Sequence, residues 1–480
     1  AVINGIGISV PLDRLLPEDE IMALLERGSV SAVIFDGSFL PVMKAAHESF
    51  PDIHAFICMK PSKKTEEMKV LDFGEARFYR FEELLTSGRY ALLNGDEAYI
   101  KREIDPEQIA SLLFTSGTTS QSKGVMLRNR NIAMDIVALA KVEKFKVGSR
   151  LLSILPLHHT FENTCGLVYP LYMGGCICVC DGLRYIQQNM EEYKINMMIG
   201  VPTLFESFYK KVIDSINKQK KMKTIRVMIK ITRALRRVKI DLRRVVFKKI
   251  HKAFGGEFKI GICGAAPIDP EIITFFDDIG VHILQGYGLT ETSPVIAGCN
   301  YKVFVPGTVG LPLGNMSIAI DTDIDGQEGE ILAKGPVIMQ GYYQDPEATA
   351  AVFDKDGWFH TGDVGVIDPE SGCIKITGRL KSMIVLKSGK KVFPEEIEQL
   401  IMRYPFIKES MVFGDSEQDG DVTISAKFVL DPQILSREGI SEEELVARLD
   451  QVVKEINLQM PGFKSIRNYV YSFQELIKTT

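Results

Sequence analysis

The chain has 480 residues, 45% of them apolar and 25% charged, and a net charge of -5. That is too long for one core and suggests about three domain-sized units of ordinary globular composition. No apolar run approaches the ~18 residues of a membrane span, and eight cysteines without a CxxC pair argue against a disulfide framework and for a reducing cytosol.

The opening, AVINGIGISV, lacks a basic start and a cleavage site for secretion. It also lacks Met and reads like the middle of a strand, so the chain is expected to begin inside a longer protein. Eight short apolar runs follow, each ending in Gly, Pro or a polar turn: 31–36, 54–59, 111–117, 150–156, 176–181, 195–202, 258–264 and 281–288. Amphipathic stretches at 41–50, 184–193, 203–217 and 268–279 separate them. This alternation predicts an α/β architecture of buried, mainly parallel strands with helices. In CICVC, Cys176, Cys178 and Cys180 alternate with Ile177 and Val179, and read as core residues rather than metal ligands.

Residues 218–252 interrupt the alternation with fifteen Lys/Arg against one acidic residue, Asp241, a local +14 that leaves -19 for the remainder. Apolar residues recur there at helical spacing, which predicts amphipathic basic helices. They read either as a solvated helical hairpin or as a dock on an anionic membrane surface. Residues 300–378 turn Gly-rich and short-stranded, a β-rich subdomain. From 380 a small α+β unit begins, with helices near 394–403 and 441–456. The division is therefore a large unit over 1–379 and a small C-terminal one over 380–480.

In open parallel sheets ligands bind beyond the carboxyl ends of strands, and three loops rich in Gly and hydroxyls lie at such ends: 115–124, 261–270 and 285–294. The first, in LLFTSGTTSQSKGVMLRNRN (112–131), gathers Thr115, Ser116, Gly117, Thr118, Thr119, Ser120, Ser122, Lys123 and Gly124. Small residues, hydroxyls and a lysine suit a polyphosphate, although a solvated Ser/Thr turn has the same composition. The order is not that of a Walker loop, because Gly124 follows Lys123 rather than preceding it. A GxGxxG fingerprint and the kinase motifs are also absent.

The order that does fit resembles the adenylate-forming superfamily: acyl-CoA synthetases, luciferases and the adenylation domains of peptide synthetases. FTSGTTSQSKGVML resembles its phosphate loop and GYGLTETSP its adenine and magnesium motif. WFHTGDVG (358–365) resembles its ribose motif, and GRLKSMIVLKSGKKVFPEEIE (378–398) its hinge and the start of a mobile C-terminal domain. The basic insertion with LPLHHTFENTCG and GICGAAPID makes the chain similar to bacterial long-chain fatty acyl-CoA synthetases. Ser120 and Ser122 depart from the glycine and proline usual there. FQELIKTT resembles the approach to a Thr-Gly-Lys-type segment, but no residue up to Thr480 is assigned as the adenylation lysine, so the small domain reads as truncated.

The resemblance implies that a carboxylate attacks ATP to give an acyl-adenylate, which a thiol, usually that of CoA, then attacks. Alternatives are transfer to a carrier protein's phosphopantetheine, and a non-catalytic member binding nucleotide or a lipid surface. Thr115, Ser116, Gly117, Thr118, Thr119 and Lys123 would hold the β- and γ-phosphates. Tyr287, followed by Gly288, would stack on adenine against Gly264, Ala265 and Ala266, unless it is simply a core aromatic. Thr290 would donate to the α-phosphate and Glu291 would hold Mg²⁺; otherwise Glu291 caps a helix dipole. Asp363 would accept from both ribose hydroxyls, aided by Arg379. His159 would stand beside the carboxylate, or be a satisfied core histidine. Lys381 would be the hinge, and Ser388 and Gly389 would line a pantetheine tunnel, or form a surface turn. The implied partners are fatty acid, ATP, CoA, an anionic membrane contacted through 218–252 and a second copy in a homodimer, with no nucleic acid. The expected place is the cytoplasm, peripheral at the inner membrane surface.

Overall fold

A computed structural model describes residues 6–60, 77–115, 122–142, 146–322, 324, 326–416, 422–439 and 441–476. Its centre is a seven-stranded sheet in the order Leu311–Pro312, Val295–Gly298, His282–Gly288, Ile260–Cys263, Met197–Gly200, Arg150–Ser153, Cys176–Val179. The last five are parallel, and the first two join antiparallel. Met197–Gly200 lies mid-sheet and all four of its residues are buried, as a strand covered on both faces must be. Helix Pro270–Ile279 shows why one such connection forms. Asp269 caps its first turn through Glu271 N–H, Pro270 supplies a preset φ at its start, and Gly280, at φ 87, ends it.

Smaller sheets surround this one. Ala32–Phe35, Ala55–Cys58 and Phe78–Arg80 form a parallel trio. Ser317–Asp321, Gly329–Lys334, Phe359–Ile367 and Ile374–Arg379 form a four-stranded antiparallel sheet within the β-rich stretch. Beyond it, Ile407–Ser416, Val422–Leu430 and Ile466–Ser472 make a C-terminal sheet with its own apolar core, covered by helices Pro394–Ile401 and Glu442–Asn457. Arg403 Nε meets Asp269 Oδ2 at 2.8 Å, joining this unit to the parallel-sheet helix.

Two expectations need correction. Ile109–Thr115 is a strand, but it pairs antiparallel with Lys123–Arg128 in a separate sheet completed by Gly341–Tyr342. The 115–124 loop therefore closes a hairpin and is not a crossover from the parallel sheet. The core reading of the CICVC cysteines holds in part: Cys178 and Cys180 are half-buried and packed against the apolar core of the parallel sheet, whereas Cys176 is exposed on an edge strand with one neighbour only.

The basic stretch forms helices Met222–Arg237, Arg243–Val246 and Lys248–Ala253. Part of its charge is used internally. Arg233 makes a two-point bond to Asp278 at 2.6 Å for each contact. Arg236 and Arg243 converge on Asp277, and Arg244 donates to the carbonyls of Phe258 and Gly256. Burial pushes the Asp277 carboxyl up, yet His282, Arg236 and Arg243 together hold it well below the usual range. Because Asp278 is nearly buried, removing its partner is expected to hurt. Arg233→Gln should cost about 1–3 kcal/mol in chemical denaturation. Lys230→Gln, on the exposed face, should stay within about 0.5 kcal/mol. Equal losses would contradict the structural role given to Arg233.

Candidate functional site

Three parallel strands end close together, and the loops leaving them line one cavity of about 380 Å³. Gly264 and Ala265 follow Cys263, Tyr287, Gly288 and Thr290 come from the His282–Gly288 end, and His159 comes from the loop after Ser153. Gly264 lies against the Phe161 ring, so a Cβ there would sit 3.0 Å from it. Gly288 is more constrained: a Cβ would fall 1.7 Å from the Pro294 carbonyl oxygen. Leu155, Pro156 and Val201 line this cavity and also a second one of about 1580 Å³, which follows helix Pro202–Lys218 past Leu204, Ser207, Phe208 and Ser215. Its lining is mainly apolar, with Arg184, Lys211, Lys221 and Lys249 among its walls.

The other predicted residues approach through linking contacts. Tyr287 is 7% exposed, and its hydroxyl donates to Asp363 Oδ2 at 2.8 Å. Asp363 Oδ1 meets Arg379 Nε at 3.0 Å, the two residues being direct partners across their strands. Burial pushes the Asp363 carboxyl above the ordinary range, and Arg379 and the Tyr287 hydroxyl offset part of that. Glu291 Oε1 accepts from the Tyr342 hydroxyl at 2.9 Å, while the Lys123 ammonium lies 4.8 Å from the Tyr342 ring centre. Thr115 is paired across the hairpin with Lys123. Ser116, Gly117, Thr118 and Thr119 lie outside the described residues.

Nine of the described predicted residues line neither cavity: Thr115, Lys123, Glu291, Asp363 and Arg379, placed by the contacts above, and Ala266, Lys381, Ser388 and Gly389. Ala266 is exposed beyond Ala265, whose φ is 70. Lys381 is exposed just past Arg379, and Ser388 and Gly389 sit at the exposed tip of the hairpin Ile384–Val385/Lys391–Val392, where Gly389 has φ 74.

A family model described as AMP-binding enzyme matches residues 1–343. The chain belongs to the AMP-binding enzyme family. A second model, the AMP-binding enzyme C-terminal domain, matches residues 381–477. A chloroplastic long-chain-fatty-acid–[acyl-carrier-protein] ligase of Arabidopsis thaliana is 30% identical over 73% of this chain and 56% of its own length. A long-chain-fatty-acid–CoA ligase of Mycobacterium bovis is 29% identical over 77% of this chain and 64% of its own. The chain thus spans less than two thirds of these curated relatives. ATP-bound MatB from Rhodopseudomonas palustris shares the fold, with a TM-score of 0.72 and 24% identity over 98% of this chain and 81% of that one.

Three contributors were not singled out from the sequence. Arg27 donates to the Ser122 carbonyl and hydroxyl at the base of the phosphate-type loop, from 95 residues away. Tyr342 links Lys123 to Glu291. Glu162, fully buried on the π-helical turn Phe161–Val168, accepts from Ser153 Oγ at 2.5 Å behind the loop that separates the two cavities. Gly166 leaves room for it: a Cβ there would lie 2.7 Å from the carboxyl carbon, so a larger residue would displace the Glu162 side chain. His159 is exposed, its ring 4.1 Å from that of His158, and partial desolvation lowers its pKa.

Burial raises the Glu162 pKa to about 7, against 4.5 for a free glutamate. Between those values the folded chain holds a proton that the unfolded chain has released, so stability falls as pH rises through the interval. Glu162→Gln should remove that fall, making the variant relatively more stable above pH 7 by on the order of 3 kcal/mol. Melting curves from pH 4.5 to 8 would show it, and parallel curves for both proteins would contradict it.

Proposed function

We propose that this chain activates a medium-to-long-chain fatty acid with ATP, giving acyl-AMP and pyrophosphate, and then passes the acyl group to the thiol of CoA. The observation that carries the reading is that the Tyr287 cavity and the long apolar one lie side by side, sharing Leu155, Pro156 and Val201 in their linings. From Val201 to Gln219 that cavity follows about 27 Å of helix, room for an extended acyl chain with its carboxylate at the narrow end. A second reading, transfer to a carrier protein, is favoured by the acyl-carrier-protein ligase activity for which the Arabidopsis relative is named.

In this reading the nucleophile is already ionised at neutral pH, so the chain's task is positioning and charge stabilisation. Tyr287 and the backbone of Gly264 and Ala265 hold the adenine. Asp363, buried and bonded to Tyr287 and Arg379, accepts in addition from the ribose hydroxyls. Lys123, with the hydroxyls and amides of 115–119, receives the departing pyrophosphate. Thr290 donates to the α-phosphate, and His159 faces the acid's carboxylate. Lys381 is the hinge about which the C-terminal unit turns to bring Ser388 and Gly389 to the thiol.

Glu291, with the hydroxyl of the adjacent Thr290, offers hard oxygens that suit Mg²⁺. Among the described residues no group of three metal-binding side chains exists, which fits an ion held by one carboxylate and the substrate's own phosphates. Mg²⁺, when bound, would neutralise phosphate charge. Membrane contact is assigned to the outer face of 222–252, where Val227, Ile231, Val238, Ile240, Leu242 and Val245 are exposed among lysines and arginines. That contact would place the protein at the cytoplasmic face of a membrane. No helix among the described residues is long and apolar enough to cross one.

The test supplies the full-length protein with Mg·ATP and carboxylic acids from C2 to C18, following pyrophosphate and acyl-CoA separately. Long acids should yield both. Pyrophosphate without acyl-CoA would favour the carrier-protein acceptor, and no turnover with any acid would overturn the reading. Ser207→Trp, placed about 9 Å along the helix from Val201, should cut kcat/KM for C16 at least tenfold and spare C8. Equal effects on both would remove the acyl chain from this cavity.

A further inference from the structure

Tyr342 stands between two charged groups that the proposed reaction needs, and its backbone is held on both sides. Gly341 pairs with Met126 and Tyr342 with Val125, Tyr342 N–H donates to Thr349 Oγ1 at 2.9 Å, and Tyr343 N–H donates to the Gly124 carbonyl at 2.7 Å. Met339 N–H closes on the Glu291 carbonyl at 2.8 Å. Gly341 has φ 145, and a Cβ there would lie 2.8 Å from Thr349 Cγ2. The ring itself is 8% exposed. Its hydroxyl is spent on Glu291, and one face lies under the Lys123 ammonium.

We propose that Tyr342 is the positioning residue for the metal and phosphate end of the site. Its hydroxyl presets the Glu291 carboxylate, and its ring keeps Lys123 from pairing with that carboxylate. An ammonium and a carboxylate left with no group between them would form an ion pair, which Mg·ATP would have to break. Tyr342 gives each a weaker partner instead: a neutral hydroxyl for the carboxylate and a π-face for the ammonium. Both can be exchanged for the ion and the phosphates without unmaking a salt bridge. The strand containing Tyr342 also pairs with the strand carrying Lys123, so the phosphate hairpin and the Glu291 turn are set against each other by one residue. The proposal rests on the reading above, in which Glu291 takes Mg²⁺ and Lys123 the phosphates.

Binding, rather than turnover, tests it. Mn²⁺ would be titrated into the full chain with a non-hydrolysable ATP analogue, reading free Mn²⁺ by electron paramagnetic resonance, and AMP binding would be measured without metal. Hydrogen-bond partners of ligating carboxylates typically change metal affinity by about 10–100-fold. Tyr342→Phe should therefore weaken Mn²⁺ about tenfold or more and leave AMP affinity unchanged, which also shows that the variant is folded. Tyr342→Leu, lacking the ring as well, should in addition weaken metal-free binding of the analogue. Unchanged Mn²⁺ affinity in Tyr342→Phe, with loss in Glu291→Gln, would overturn the positioning role while keeping Glu291 as the ligand. Unchanged affinity in Glu291→Gln would overturn the metal reading itself. Loss of AMP binding in Tyr342→Phe would make Tyr342 a general structural residue and overturn the proposal.

Discussion

The buried carboxylate of Asp363 joins the parts of this molecule that would have to cooperate. It is 4% exposed and lies on Phe359–Ile367, an interior strand of the four-stranded sheet. One oxygen is bonded to Tyr287, at the end of a parallel-sheet strand, and the other to Arg379, the last residue before the C-terminal stretch. Taking a carboxylate out of water is costly unless its lone pairs are used. Arg379 is 63% exposed at its side chain, so solvent weakens that partner, and the carboxyl remains above its ordinary pKa. Its attachments tie Tyr287 of the parallel sheet, the β-rich sheet and Arg379 at its last strand to one another.

A similar economy of contacts shapes the division between the two cavities. The loop after Ser153 supplies Leu155 and Pro156 to both, and His159 to the smaller one. Behind the loop, Ser153 bonds the buried Glu162, and Gly166 leaves room for that carboxyl. The wall between the nucleotide-side cavity and the apolar one is thus held from the protein interior. Its rigidity depends on a polar group with few partners in an apolar setting.

Much of this was legible in the residues themselves. Strand-to-helix alternation with a fully apolar run at 197–200 points to a buried strand of a covered sheet, and the Asp269-Pro270…Gly280 punctuation marks a helix at both ends. The motif order brought Lys123, Tyr287, Glu291, Asp363 and Arg379 to attention one by one. What stayed hidden was pairing. Nothing in SLLFTSG states whether its neighbour runs parallel or antiparallel, since the same apolar residues suit both, and only the Lys123–Arg128 partner decides it. Cys176 shows the edge-strand version of that problem. The charge of 218–252 suggested a solvent or membrane face, yet Arg233, Arg236 and Arg243 meet Asp277 and Asp278 more than thirty residues away. Tyr342 and Arg27 carry no local signal, because each acts on a residue brought near only by the sheet.

The account's central claim is that nucleotide and acyl chain occupy adjoining cavities that share Leu155, Pro156 and Val201 in their linings. A crystal structure of the full-length protein with a non-hydrolysable long-chain acyl-AMP analogue tests it most directly. The account predicts the adenine on Tyr287, the ribose hydroxyls on Asp363 and the acyl tail along helix Pro202–Lys218. A tail leaving the site by any other route, with the apolar cavity unfilled, would contradict it.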